Sequence, residues 1–564
     1  MERDLPMNGA SSALRLATVA LLVYCLLAFL RSLLTWWRGP QRIAHLPGPG
    51  IQHWFLGSFP TQHIGSGKFA SAISGALDAH GRVLGVVNTG RQPIIVCADH
   101  TAAAQILLKT PWSKAPDILE LTQRHVSTAL VGATGEAHKR HRRVAHPAFS
   151  SDALTAQFPD IIAKAVKLEE RITRMIDAGT ETIDMLEEFS RMGMDIVGKI
   201  AINYEFGVLD GNDNDPLYRA HRAIMASLLT GTPYAVLRFA LGKPVEALGR
   251  ALRIREQLEL DHAKHTIRVV GRELVSKAQR RARGLQVDDE AKGTDLLSLM
   301  VGTNEGPDLK PGQKLSDDEL VETVPTLFFA GHETSATTLA WACWALTQPG
   351  HGLERQRRLR RELAEAQGSW KESLQEMDAL PYLDAVVRET LRIHSPIASV
   401  IRVAAEDSVL PLGRPYVGAD GKTSSRELFV PKGVQVYVPI VQLNTDEEIW
   451  ADGRSFRPER WLDASHPLHE PELGDTPRIS GLWSSILTFG QGPMNCIGSK
   501  IGVLQVKAGL AALLSSYELE MPIGPGEEPL RIDGITGIIT QPAIAGQQEK
   551  GPQMPIRLRK RPEG

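Results

Sequence analysis

The sequence predicts a mainly α-helical protein with a minor β component, one large body carried behind a single N-terminal transmembrane helix. Three observations lead there: an apolar run from Ala13 to Trp37, two later stretches with clear helix start and stop signals, and only short strand-like segments such as Gln435 to Ile440. The 564 residues, 43% hydrophobic and 23% charged, supply a large core and exclude a disordered, collagen-like or polytopic membrane protein. Lys and Arg total 63 against 65 Asp and Glu, a formal charge of -2, so overall charge gives no reason to expect a nucleic-acid partner. Cys25, Cys97, Cys343 and Cys496 are too few and too scattered for a disulfide framework or a CxxC metal site, so any functional cysteine acts singly.

As a helix, residues 13–37 would span about 37 Å against a hydrocarbon core of about 30 Å. Arg15 and Arg31 can snorkel at its ends, and Trp36 and Trp37 sit where an interfacial aromatic belt would place them. The run is long and no small-residue cleavage site precedes Arg38 and Arg42, which favours an anchor over a cleaved signal peptide. Arg31, Arg38 and Arg42 make the C-terminal flank the more positive one, so residues 1–12 are expected in the lumen and the body in the cytosol. Residues 38–50 form a basic hinge ending in Leu46-Pro47-Gly48-Pro49-Gly50, stiffened by proline and punctuated by glycine. Residues 51–564 show no internal repeat or long linker and read as one domain, with the polar stretch from Arg280 to Lys314 expected as a surface loop.

Ser316 and Glu319 have capping-box spacing, Leu315 and Leu320 can form a hydrophobic staple, and an apolar run continues to Leu346 before Gln348-Pro349-Gly350 stops it. Pro325 should bend the first part of this long helix and Gly331 should weaken its middle. Pro381 opens a second helix, along which Leu383, Val387 and Leu391 share a face, and Ser395-Pro396 closes it.

The segment richest in chemistry is Phe489-Gly490-Gln491-Gly492-Pro493-Met494-Asn495-Cys496-Ile497-Gly498, a Gly-rich loop delivering one cysteine to the start of an apolar helix from about Ile497 to Leu514. Backbone N–H groups and the helix dipole there favour a thiolate, and glycines let a flat cofactor approach the backbone; a buried structural cysteine is the other reading. This loop resembles the haem-ligand signature F-x-x-G-x-R-x-C-x-G of the cytochrome P450 family: Phe489, Gly492, Cys496 and Gly498 match, whereas Met494 stands where the family usually has Arg or His facing a haem propionate.

Further segments resemble the same family in its own order. Glu389-Thr390-Leu391-Arg392 is similar to ExxR and Phe456-Arg457-Pro458-Glu459-Arg460-Trp461 to the PERF segment, which assigns Glu389, Arg392 and Arg460 to a buried structural network. Ala330-Gly331-His332-Glu333-Thr334-Ser335 resembles the oxygen-activation motif. A hydroxyl beside an acid can relay protons, which makes Glu333 and Thr334 the catalytic pair, Glu333 exchanging protons with solvent. An HExxH zinc reading fails at Ala336. His138 and Arg142, spaced i,i+4, resemble the C-helix W-x-x-x-R with His in place of Trp, and Arg402 in Val400-Ile401-Arg402-Val403 matches a third propionate contact. Solvated helix residues are favoured over a zinc site from His138, His141 and His146.

The resemblance implies the P450 fold and haem b, iron protoporphyrin IX, with Cys496 as axial thiolate, in a monooxygenase that inserts one oxygen atom of O2 into a C–H bond. Gly65-Ser66-Gly67-Lys68-Phe69-Ala70 lacks a βαβ context, so no nicotinamide or flavin site is built in. The expected electron donor is a separate NADPH-cytochrome P450 reductase, with cytochrome b5 as helper, docking on Lys139, Arg140, Arg143, Arg355, Arg357 and Arg358. The motif wording looks most like fungal microsomal members, which implies an endoplasmic-reticulum membrane location and a small apolar substrate such as a terpenoid. A P450-fold isomerase or dehydratase, and a catalytically silent haem-binding scaffold, are the alternatives that an intact Glu333-Thr334 pair and Cys496 argue against.

Overall fold

A computed structural model describes residues 36–560 except 55, 60–67, 109–111, 230–231, 233, 236, 239–241, 286–292, 464–485 and 525–527. The expected transmembrane run lies, up to residue 35, outside the described residues; among those described, no helix is long and apolar enough to cross a membrane. The Pro-Gly hinge is described and packs on the body. Pro47 accepts a backbone hydrogen bond from Gly85 N at 2.8 Å, and a Cβ on Gly48 would lie 2.3 Å from the Gly85 carbonyl oxygen, so only glycine fits there.

Nine helices carry the argument: α1 Gly135–Ala145, α2 Met185–Ile202, α3 Pro216–Leu229, α4 Leu296–Glu305, α5 Asp317–Val321, α6 Thr323–Gly331, α7 Glu333–Thr347, α8 Pro381–Ile393 and α9 Ser499–Ser516. Helices α7 and α9 are apolar on nearly every side and are buried, as such sequences require, and most of α2 is buried with them although it carries Glu187, Glu188, Arg191, Asp195 and Lys199. Phe189, Met192, Leu339, Leu346, Leu510 and Leu513 join one large core across them. Gly509 brings α9 close enough for Leu339 to pack against its backbone.

The smaller, sheet-based region holds β1 Val83–Asn88, β2 Gln92–Cys97, β3 Trp112–Lys114, β4 Ser399–Ala404 and β5 Gln435–Pro439, in spatial order β1-β2-β5-β4-β3. Only the β2–β5 pair is parallel. Its register sets Lys114 opposite Arg402, which joins two cations distant in sequence. A hairpin of β6 Ile532–Thr536 and β7 Thr540–Ile544 lies beside α7, where the Trp341 indole donates to the Thr540 carbonyl at 3.5 Å.

The expected long helix exists as three consecutive segments. Its capping box forms, with Ser316 Oγ accepting from Glu319 N and the Glu319 carboxylate accepting from Ser316 N at 2.8 Å, and both staple leucines are buried. The break at Glu322 follows from Pro325, which has no N–H to offer the Val321 carbonyl. The break at His332 follows Gly331, and here side chains take over the work of the helix: His332 Nδ1 meets the Phe328 carbonyl at 2.7 Å and Thr334 Oγ1 donates to the Ala330 carbonyl at 2.9 Å.

The stretch from Arg280 to Lys314 is not simply a surface loop. Asp295 caps α4 by accepting from Ser298 N at 2.9 Å, and Leu296, Leu297, Met300 and Val301 are buried. The polar residues around this short apolar helix dominate the composition of the stretch and conceal it.

Candidate active site

Where α6 and α7 meet, a cavity of about 370 Å³ opens between them, α1 and the loop before α9. Cys496 borders it from one side, Ala330, Gly331 and Thr334 from another. The glycine-rich loop turns tightly: Gly490 and Gly492 have φ +66° and +68°, and a Cβ on Gly492 would lie 2.4 Å from the Leu107 carbonyl oxygen. Cys496 N donates to the Phe489 carbonyl at 2.7 Å, which closes the loop. Helix α9 begins at Ser499, so Cys496 stands in the loop just before the helix rather than on its first turn.

Cys496 is exposed, and it borders the cavity. Burial pushes its thiol up, while the Gly498 N–H and Arg142 pull it down without reversing the shift. A metal ion would remove that proton, as it does from any coordinating thiol.

The other side of the cavity is cationic. Arg142 on α1 donates to the Asn495 carbonyl at 2.7 Å and to the Asn495 side chain, which ties α1 to the residue before the cysteine. His138, one turn earlier on α1, is buried, and burial, then Lys114 and Arg142, push its imidazole down to about 4. Burial lowers Arg402 to about 10; its Nε finds no partner among the described residues, and its Nη1 donates to the neighbouring Ile401 carbonyl at 3.2 Å.

Lys114 had no signal in the sequence, because only the β3–β4 register brings it here. Its Nζ donates to the Leu130, Val131 and Ala133 carbonyls at 3.2, 2.6 and 3.0 Å, and burial, then Arg402, push it down to about 8. Met494 also faces the cavity and adds no charge. Among the described residues, no Asp or Glu lines this space.

A buried cationic wall without an acid favours a ligand that brings negative charge, and an accessible cysteine opposite small residues favours a flat ligand bearing a metal. Iron protoporphyrin, with two carboxylates and a metal that takes thiolate, fits both requirements. Among the described residues no His, Cys, Asp and Glu cluster forms a metal site of its own, and His138 and His141 are buried against the body and the cavity rather than solvated as expected.

Thr334 lines the cavity but Glu333 faces away from it. Its carboxylate accepts from Gln541 Nε2 on β7 at 3.0 Å, meets His332 Nε2 at 3.1 Å and is bonded by Ser190. Sequence reasoning missed Gln541 and Ser190, since neither belongs to the motif around Thr334.

Behind the loop, Glu389 and Arg392 on α8 are fully buried with Arg460. Glu389 accepts from Arg392 at 2.8 and 2.9 Å, from Arg460 Nε at 3.0 Å, from the Trp461 indole at 3.0 Å and from Arg457 N at 2.8 Å. The arginines spend their remaining donors on the Asn444, Gly453 and Ala451 carbonyls. The basic residues expected at a partner surface are partly neutralised: Lys139 pairs with Glu136, Arg140 with Glu319, and Arg358 stacks on Tyr382 near Glu459.

Comparison with known proteins gives the same result. The family model for cytochrome P450 matches residues 47–543. Among curated proteins, the chain is 30% identical to cytochrome P450 monooxygenase 205 of Postia placenta, covering 92% of this chain and 93% of that protein. It is also 30% identical to cytochrome P450 monooxygenase claQ of Ampulloclitocybe clavipes, over 77% of this chain and 78% of the other. With a lone cysteine in a glycine-rich loop, a cationic wall opposite no acid and a family match over most of its length, the chain belongs to the cytochrome P450 family, whose members are haem b monooxygenases with a cysteine thiolate on the iron.

Proposed function

We propose that this protein is a membrane-anchored monooxygenase that oxidises a C–H bond of a small apolar molecule, with its catalytic body on the cytosolic side of the endoplasmic reticulum. The observation that carries this reading is a cavity bordered by both Cys496 and Thr334, with Leu130, Val131, Leu296, Met300 and Leu327 forming an apolar part of its wall. Such a lining binds by apolar burial and offers few directional contacts, which suits a hydrocarbon-rich substrate of the terpenoid kind. The names of its relatives carry no substrate for this chain, so substrate class rests on the lining alone.

In this reading Cys496 would hold the iron and Arg142, Arg402 and His138 would hold the propionates, while Lys114, its hydrogens on three carbonyls, would add positive charge where Met494 adds none. Haem, when bound, supplies dioxygen binding and its reductive activation. The chain supplies the rest: apolar side chains exclude water, Thr334 Oγ1 offers a hydroxyl at the cavity wall, and Glu333 holds a proton-exchanging group one residue earlier. Electrons come from an NADPH-cytochrome P450 reductase, aided by cytochrome b5, with Arg143, Arg355, Arg357 and Arg358 as candidate docking cations. The anchor at residues 13–37 keeps both proteins on one membrane.

Cys496→Ala tests the assignment. The variant should lose the reduced carbon-monoxide band typical of thiolate-ligated haem. A wild-type band in this variant overturns the reading. Comparing metabolite extracts of cells with and without the enzyme then identifies the substrate.

A further inference from the structure

The kink between α6 and α7 carries a second titratable residue beside the acid. His332 is buried, with Gly193 of α2 so close that a Cβ there would lie 3.0 Å from the His332 Cβ. Both of its ring nitrogens are engaged. Nδ1 lies 2.7 Å from the Phe328 carbonyl, which can only accept, so Nδ1 carries a hydrogen. Nε2 then lies 3.1 Å from Glu333 Oε1, and that contact also needs a hydrogen, on the nitrogen or on the oxygen. Either placement gives the pair one proton more than a neutral imidazole beside a carboxylate.

We propose that His332 and Glu333 jointly store this proton, and that His332 is a positioning residue which loads Glu333 for proton delivery at the cavity. The proposal rests on the monooxygenase reading above.

Three further observations support it. The carboxylate is clamped by Gln541 and Ser190 as well as His332, so it is held on its partner instead of free in solvent. Burial alone would push His332 down, yet Glu333 reverses this and leaves it raised; burial would push Glu333 up, and His332, then His221 and Ser190, leave it lowered. His221 on α3, its ring 4.7 Å from that of His332 at 75°, is itself pushed down to about 3 by burial and then by His332, and so stays neutral. Its buried Nε2 has no partner, so it does not compete for the shared proton. Among the described residues, Glu333 is the titratable group that acts on the charge of His332, and His221 faces its ring from α3; α2 and β7 contribute the neutral Ser190 and Gln541.

The proton balance is simple. Glu333 turns out of its clamp carrying the proton on Oε1, and His332 is left neutral with hydrogen on Nδ1. After Glu333 gives up the proton and returns, one proton from water restores the pair.

The full-length, haem-loaded protein in its reduced carbon-monoxide form, labelled with nitrogen-15 histidine, gives a direct test by NMR across pH. One imidazole should titrate above 6.5 and vanish in His332→Gln. In Glu333→Gln the same imidazole should titrate below 6.5, because burial then acts unopposed. With purified reductase and no added substrate, the NADPH-to-dioxygen ratio should change with pH as His332 titrates. His332→Gln, whose amide can still donate to Glu333, should flatten this profile and slow turnover roughly tenfold, while keeping the reduced band.

A His332 imidazole that titrates alike with and without Glu333 overturns the proposal, as does an unchanged pH profile in His332→Gln. Absence of the reduced band in the wild type overturns the monooxygenase reading, while the histidine titration still decides the shared proton.

Discussion

Two buried clusters of basic side chains lie close to the same loop and obey opposite rules. In the cluster of Glu389, Arg392 and Arg460, one carboxylate sits between two guanidinium groups and backbone carbonyls take the surplus donors. In the wall of Lys114, His138 and Arg142, with Arg402 beside Lys114, no carboxylate is found among the described residues, and Arg402 Nε is unpartnered. The first cluster is complete within the chain and serves the fold. The second is incomplete without a ligand, and its deficit describes the ligand: negatively charged and held at several points. Burial of charge is therefore not informative about role until its counter-charges have been traced.

The largest effect that sharpens this contrast comes from the closed cluster. Arg392→Ala leaves a buried carboxylate short of a partner and should cost about 3–5 kcal/mol, read by denaturant unfolding of the haem-free protein. A loss as small as that of a surface substitution would break the distinction.

The open cluster should respond with the other sign. Arg402→Met removes a desolvated cation that has no acid to lose, so the haem-free protein should be no less stable. Haem, however, should leave about tenfold faster, since a hydrogen bond to a charged group contributes about 1.5–3 kcal/mol; transfer to apomyoglobin measures it. Lys114→Met should differ: haem loss should quicken less, because the ammonium is already satisfied by three carbonyls, and the haem-free protein should lose stability because those carbonyls lose their donor.

The smallest effect is a pH dependence. His138 has a folded value of about 4, below the ordinary 6.5. Between those values the unfolded chain binds a proton that the folded chain refuses, so stability falls as pH drops from 6.5 toward 4. In His138→Gln the thermal midpoint of the haem-free protein should fall less across that window. His394, stacked on Trp341 at 4.5 Å and held near 3, continues the same loss at lower pH and serves as the control.

How much of this was legible in the sequence depended on range. The capping box at Ser316, the proline opening α8 and the loop around Cys496 are local, and each occurs where its residues direct. Glu389, Arg392 and Arg460 were also legible, because two are on one helical turn and the third lies in its own short motif. Lys114 was not, since its place depends on strand pairing with Arg402, and Gln541 was not, since it reaches Glu333 from a hairpin far along the chain. Helix α4 was missed for the opposite reason: its apolar core is short and the surrounding polar residues outweighed it.

The bond from Thr334 Oγ1 to the Ala330 carbonyl decides how the cavity greets its contents. The hydroxyl's one hydrogen is committed to the backbone, so it offers visitors lone pairs alone. A substrate with an alcohol or amine near this point finds an acceptor ready. A ketone or ether must first pull the hydrogen off the Ala330 carbonyl and leave that oxygen short of a donor, so the resting wall already selects between molecules of equal size and greasiness.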